Sequence, residues 1–149
     1  MALQTAELIA HLDTVTSIPV IPFRGGAVDY EAHAKNIDYL MNTNTLDGDR
    51  RRIVGVAGTS LVHHITLAEQ ERVMAATGRQ MNGRGVFMAG VVPNPIGDAE
   101  AYIQRLAALE HAPDVYLIMP LTGVADPEGL RIGHPGQRHD QVHLSLIHI

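Results

Sequence analysis

The sequence predicts an α/β fold built on a parallel sheet, and three observations carry that reading. Short runs of β-branched and apolar residues alternate with segments of helical periodicity, which is the rhythm of consecutive βα units. The runs Ile53 to Gly58, Gly85 to Val92 and Val115 to Met119 are apolar almost throughout, as strands covered on both faces must be. The chain has 149 residues, 46% hydrophobic and 18% charged, against a usual charged share of roughly 25%, so one buried core is expected and disorder is not the main state.

The first element in chain order is a helix over Ala2 to Leu12, with Leu3, Ala6, Leu8, Ile9 and Leu12 near helical spacing. Ser17 to Phe23 is an apolar run that reads as the first strand, although Pro19 and Pro22 remove ladder donors, and Arg24-Gly25-Gly26 follows as a turn. Asp29 is placed to cap a helix that runs to about Met41, with Ala32, Ile37, Leu40 and Met41 on its apolar face. Asn42 to Arg52 is a polar connection with a turn at Asp47-Gly48. After the second strand, Thr66 and Glu69 have the spacing of a capping box for a helix to about Ala76, ended by Gly78. The third strand leads to a helix over Asp98 to Leu109, and the fourth strand is closed by Pro120. Beyond Leu130 the periodicity stops.

Composition excludes several functions. Sixteen acidic against eleven basic side chains leave a net charge of −5 with histidine neutral. The arginines are scattered apart from Arg50-Arg51-Arg52, so no basic field tracks a nucleic acid. The absence of cysteine removes disulfides, thiolate metal sites and a thiol nucleophile. Met1 to Asp13 lacks the basic and apolar regions of a secretory signal, and no segment approaches the roughly 20 apolar residues of a membrane-spanning helix. A soluble, cytoplasmic protein is the expectation.

Gly58-Thr59-Ser60 lies just past the carboxyl end of the second strand, where parallel α/β barrels gather their chemistry. A glycine turn with two hydroxyls beside it can hold a carboxylate by several hydrogen bonds; the same hydroxyls could equally cap the helix region that follows. His63-His64 in an extended segment would point to opposite faces and share an ion poorly, so no native metal site is expected. Asp29, Glu69 and Asp98 read as helix-start acids, and Tyr116 as core.

An ordered set of pieces resembles the front half of the dihydrodipicolinate synthase and N-acetylneuraminate lyase family. Pro19 to Phe23 with Val28-Asp29-Tyr30 stands where that family has P-V-T-P-F and V-D. Val56-Ala57-Gly58-Thr59-Ser60 stands where it has V-A-G-T-T-G-E, and Thr66 to Val73 follows. Gly78-Arg79 and Val86 to Gly90 match G-R-x-P-V-I-A-G; Asn94, Ala99-Glu100-Ala101, Asp114 to Pro120 and Glu128-Gly129-Leu130 complete the order.

The resemblance implies a TIM (β/α)8 barrel truncated to about its first four βα units, over residues 1–130. It implies a Schiff-base lyase of the class I aldolase type, acting on pyruvate or a related small 2-oxo acid, with no cofactor and no metal, and homo-oligomeric in a full-length parent. Thr59 and Ser60 match the threonine pair that binds the keto-acid carboxylate and helps relay protons, so Thr59 is the expected catalytic residue and Gly58, Thr59, Ser60 and Asn94 the expected substrate-binding residues.

The departures are specific. Leu61-Val62-His63-His64 replaces Gly-Glu, and Leu121-Thr122 stands where many members carry tyrosines. The family's catalytic tyrosine and Schiff-base lysine belong to its fifth and sixth strands, which have no counterpart here. Lys35 is the only lysine, on the polar side of a helix, where an ordinary ammonium is a poor imine former. Residues 131–143 have no assigned origin, and Leu144 to Ile149 resembles the translated end sequence of a sequencing-library adaptor, a scar outside fold reasoning. The chain is therefore expected to be an inactive fragment of such a lyase; the alternative is a non-catalytic α/β module that binds small acids or a partner.

Overall fold

The computed structural model describes residues 5–43, 46–48, 50–91, 99–118 and 145–147. Helix α1 (Thr5–His11) precedes strand β1 (Thr16–Ser17), and a hairpin of β2 (Phe23–Arg24) and β3 (Ala27–Val28) leads into α2 (Tyr30–Asn42). Then β4 (Ile53–Val56), α3 (Leu67–Met81), β5 (Val86–Val91), α4 (Ala99–Ala107) and β6 (Val115–Ile118) alternate, and β7 (Ser145–Ile147) joins the sheet. The sheet order is β1-β4-β5-β6-β7. Its first four strands are parallel and in register, with Thr16 opposite Ile53, Ile53 opposite Val86, and Met88 opposite Val115.

The all-apolar strands behave as their composition requires, because successive side chains leave a strand on opposite faces. Val54, Val56, Phe87, Ala89, Val91 and Tyr116 face α2, α3 and α4 in the larger core, while Ile53, Val86, Met88 and Val115 meet Leu8 of α1 on the other side. Asp114 fixes where β5 and β6 begin to pair: its carboxylate accepts from the Phe87 amide at 2.8 Å and its own amide donates to the Phe87 carbonyl at 2.9 Å. Tyr116 is core, as expected, and burial pushes its phenol up to about 12.

Three expectations need correction. The single first strand is two pieces, since Pro19 and Pro22 have no amide to donate; pairing with β4 stops at Ser17, and Phe23 pairs instead with Val28. Gly25 and Gly26 both have positive φ, 59° and 83°, the conformation of a tight two-residue hairpin turn. Second, α3 does not end at Gly78 but runs to Met81, and Asn82 closes it in the left-handed conformation at φ 45°. Gly78 serves packing instead: a Cβ there would lie 2.1 Å from the backbone oxygen of His111. Third, the sheet is not wholly parallel, because β7 lies antiparallel on β6, with Ser145 opposite Ile118 and Ile147 opposite Tyr116. The helix expected from Ala2 is described from Thr5 onward, the fourth helix is Ala99–Ala107, and the boundary expected at residue 130 lies outside the described residues.

Two polar ties hold α2 against α3. His33 is fully buried, with Nε2 2.8 Å from the hydroxyl of Thr77. Thr77 already donates to the Val73 carbonyl at 2.9 Å, so the histidine nitrogen is the donor. Its Nδ1 is buried with no hydrogen-bond partner, and burial lowers the ring to about 4. At the far end of the helices, Arg84 donates to Asp38 and Asn42 of α2 and to the carbonyls of Gln80 and Met81.

Candidate substrate-carboxylate loop

The carboxyl end of β4 turns straight into a 3-10 helix over Gly58–Ser60, then a second over Val62–His64. Ser60 and Thr59, neighbours in sequence, are placed differently. Ser60 is fully buried; its hydroxyl donates to the Gly55 carbonyl at 3.3 Å and accepts from the Ala57 amide at 3.4 Å. Thr59 is exposed and Gly58 is partly so. The first amides of such a helix have no acceptor inside it, so those of Gly58 and Thr59 are not consumed by the turn. Neither hydroxyl caps the following helix: Thr66 does so, accepting from the Glu69 amide, while the Glu69 carboxylate accepts from the Thr66 amide at 2.8 Å. That bond holds the Glu69 carboxyl below its ordinary range.

The loop is braced from both sides. The Ile21 amide donates to the Ser60 carbonyl at 3.3 Å, bringing the proline-broken segment after β1 onto the turn. Gly90 lets β5 approach equally closely, since a Cβ there would lie 2.6 Å from the Ala57 Cα. Neither close approach is visible in local composition, and Gly90 would pass for an ordinary strand residue.

Leu61 adopts the left-handed conformation, φ 68° and ψ 25°, that glycine takes freely. That conformation costs roughly 1–2 kcal/mol for a residue with a Cβ. The extended segment expected at His63 and His64 is instead a 3-10 turn, which brings their ring centroids to 4.1 Å. Among the described residues no three histidine, aspartate or glutamate side chains are grouped to hold a metal ion, and no helix is long and apolar enough to cross a membrane.

The remaining expected residues divide clearly. Asp29 caps α2, accepting from the Ala32 amide at 3.0 Å and pairing with Arg24 at 2.7 Å, and both contacts lower its carboxyl. Asn94 and Asp98 lie outside the described residues. Lys35 lies on the exposed side of α2, bound to Glu31 at 2.7 Å, and this pairing raises its ammonium rather than leaving it ordinary.

No family model matches the chain. Its similarity to curated proteins is nevertheless consistent: it is 32% identical over 112 residues to a 4-hydroxy-tetrahydrodipicolinate synthase of Methanococcus vannielii, covering 75% of this chain and 37% of that protein. It is 30% identical over 129 residues to the protein of the same name from Staphylococcus carnosus, covering 85% of this chain and 40% of that one. The fold matches crystal structures of dihydrodipicolinate synthase from Bacillus clausii (TM-score 0.58, 22% identity, 74% of this chain and 36% of that one) and Aquifex aeolicus (TM-score 0.55, 23% identity, 70% and 33%). The chain thus spans about two fifths of the length of the curated relatives it matches. An ordered sequence match and a shared run of parallel βα units make this chain similar, over part of their length, to proteins of the dihydrodipicolinate synthase family.

Proposed function

We propose that this chain is the amino-terminal part of a lyase that holds pyruvate or a related small 2-oxo acid as a Schiff base, and that it supplies the carboxylate-binding loop of that site. The observation that carries the reading is the exposed Thr59 beside Gly58 at the carboxyl end of β4, on a turn locked from within by Ser60. Hydrogen-bond donors fixed before the ligand arrives bind a carboxylate without reorganising. Gly58 and Thr59 would present amides to it, Thr59 would add its hydroxyl and pass a proton, and Ser60 would keep the turn in shape. Asn94 is retained as a further substrate-binding residue in the stretch of sequence that follows β5.

The imine-forming lysine is expected in chain that this sequence does not contain. Lys35 is a poor substitute: an imine needs the neutral amine, and its contact with Glu31 favours the ammonium. Incubation of the 149-residue protein with pyruvate and borohydride, followed by mass spectrometry, is therefore expected to leave the chain unmodified at Lys35. A stoichiometric reduced adduct at Lys35 would overturn this division of labour. The alternative of a module that binds small acids without chemistry shares the loop and is the reading that applies to the 149 residues alone.

A further inference from the structure

Four arginines outside the proposed site line one cavity. Arg50, Arg51 and Arg52 run into the start of β4, and Arg84 lies just before β5. Together they line a cavity of about 290 Å³ whose apolar wall includes Leu40 and Met41 from the end of α2. The cavity is at the amino-terminal end of the strands, at least a strand length, about 13 Å, from the Gly58–Thr59 turn at the other end.

The charge there is opposite to that of the whole chain, which carries −5. Among the described residues no carboxylate lines the cavity. Arg50 pairs with Asp13 at 3.3 Å, but Asp13 belongs to the neighbouring cavity, which it lines with Asp47. Arg84 is anchored by Asp38, Asn42 and two carbonyls, and Arg52 donates to the Ser17 hydroxyl. These ties fix the guanidinium groups in place, and Asp13 and Asp38 offset part of the charge of Arg50 and Arg84. Arg51 is exposed.

Guanidinium groups crowded around one space repel each other, and an anion between them removes that repulsion. Planar guanidinium groups match the oxygens of carboxylate and phosphate by paired hydrogen bonds. A monocarboxylate has two oxygens and one charge; a phosphate group has more of both to share among several guanidinium groups. We infer that the cavity lined by Arg50, Arg51, Arg52 and Arg84 is a binding site for a small phosphate-bearing anion of two or more negative charges. It is separate from the carboxylate loop.

The test is isothermal titration of the 149-residue protein with pyrophosphate in low-salt buffer, with acetate and sodium chloride at matched ionic strength as controls. One-to-one binding is expected for pyrophosphate and none for acetate. Arg50→Gln with Arg51→Gln should weaken it at least about tenfold, the usual result of losing hydrogen bonds to a charged group, while Thr59→Val leaves it unchanged. A thermal melt checks that the double variant is folded, and Arg51→Gln alone, at an exposed position, gives a smaller loss with no demand on the fold. Absence of binding, equal binding by the arginine variants, or an effect reproduced by sodium chloride would overturn the assignment. Because Thr59→Val is silent here, failure of this site and failure of the lyase reading are distinguishable.

Discussion

Gly78→Ala is expected to destabilise the protein by about 2–3 kcal/mol, although alanine is the better helix former. The two effects oppose each other. In a helix interior the exchange gains roughly 1 kcal/mol of propensity. Against this, the new Cβ would sit 2.1 Å from the carbonyl oxygen of His111 and 3.0 Å from its Cβ. The nearest atom is backbone, so no side-chain rotation relieves the clash, and α3 would have to move off the segment between α4 and β6. Overpacking of this kind costs typically 1–3 kcal/mol and sometimes more, so the clash wins. Gly83→Ala is the useful control: its φ is 71° with nothing within 4 Å of the added carbon, so it should cost only about 1–2 kcal/mol of backbone strain. Urea midpoints at unchanged slope measure both. Gly78→Ala as stable as the parent would show that α3 and the His111 segment do not pack as described.

Lowering the pH from 7 to 4 is expected to remove up to about 3 kcal/mol of stability through His33 alone. Burial depresses its folded-state value to about 4, from an ordinary 6.5. The unfolded chain therefore binds the extra proton first as pH falls, and stability drops between about 6.5 and 4 and levels off below. Above 6.5 both states are neutral and the contribution is fully present. The structure gives the physical reason: the ring is held between α2 and α3 as a neutral donor to Thr77, with Nδ1 enclosed and without a partner to welcome a second proton. His33→Leu should flatten the pH profile in this window, at the price of an unfilled Thr77 acceptor. Asp29, Asp38 and Glu69, all lowered by their own hydrogen bonds, lose their contributions at lower pH, near and below the carboxylate range. A profile for the parent protein that is flat between pH 6.5 and 4.5 would mean that His33 is hydrated.

How much of this was legible in the sequence depends on whether the cause was local. The strands β4, β5 and β6 announce themselves because burial on both faces demands uninterrupted apolar runs, and the Thr66–Glu69 capping box is a contact over three residues. The break between β1 and β2 was foreshadowed by Pro19 and Pro22, but where pairing resumed depended on the Gly25-Gly26 turn. Gly78 misled because its partner, His111, lies 33 positions later. His33 carried a weak signal, standing four residues before Ile37 on the buried side of α2, yet its partner Thr77 is 44 residues away. At the candidate site the motif located the turn, while the burial of Ser60 and exposure of Thr59 follow from the 3-10 geometry after β4. The arginine cavity joins Arg50–Arg52 to Arg84 across the sheet, a proximity created only by parallel pairing of β4 with β5.

The most direct test of the central claim is an amide-resolved titration of the protein with pyruvate, read at Gly58, Thr59 and Ser60 by heteronuclear NMR. Saturable shifts centred on the Gly58 and Thr59 amides are expected. They should weaken by about tenfold or more in Thr59→Val, as expected for one lost hydrogen bond to a charged group, with Arg50→Gln unaffected. Shifts that are absent, that do not saturate, or that persist at full strength in Thr59→Val would contradict the assignment of this turn as a 2-oxo acid carboxylate site.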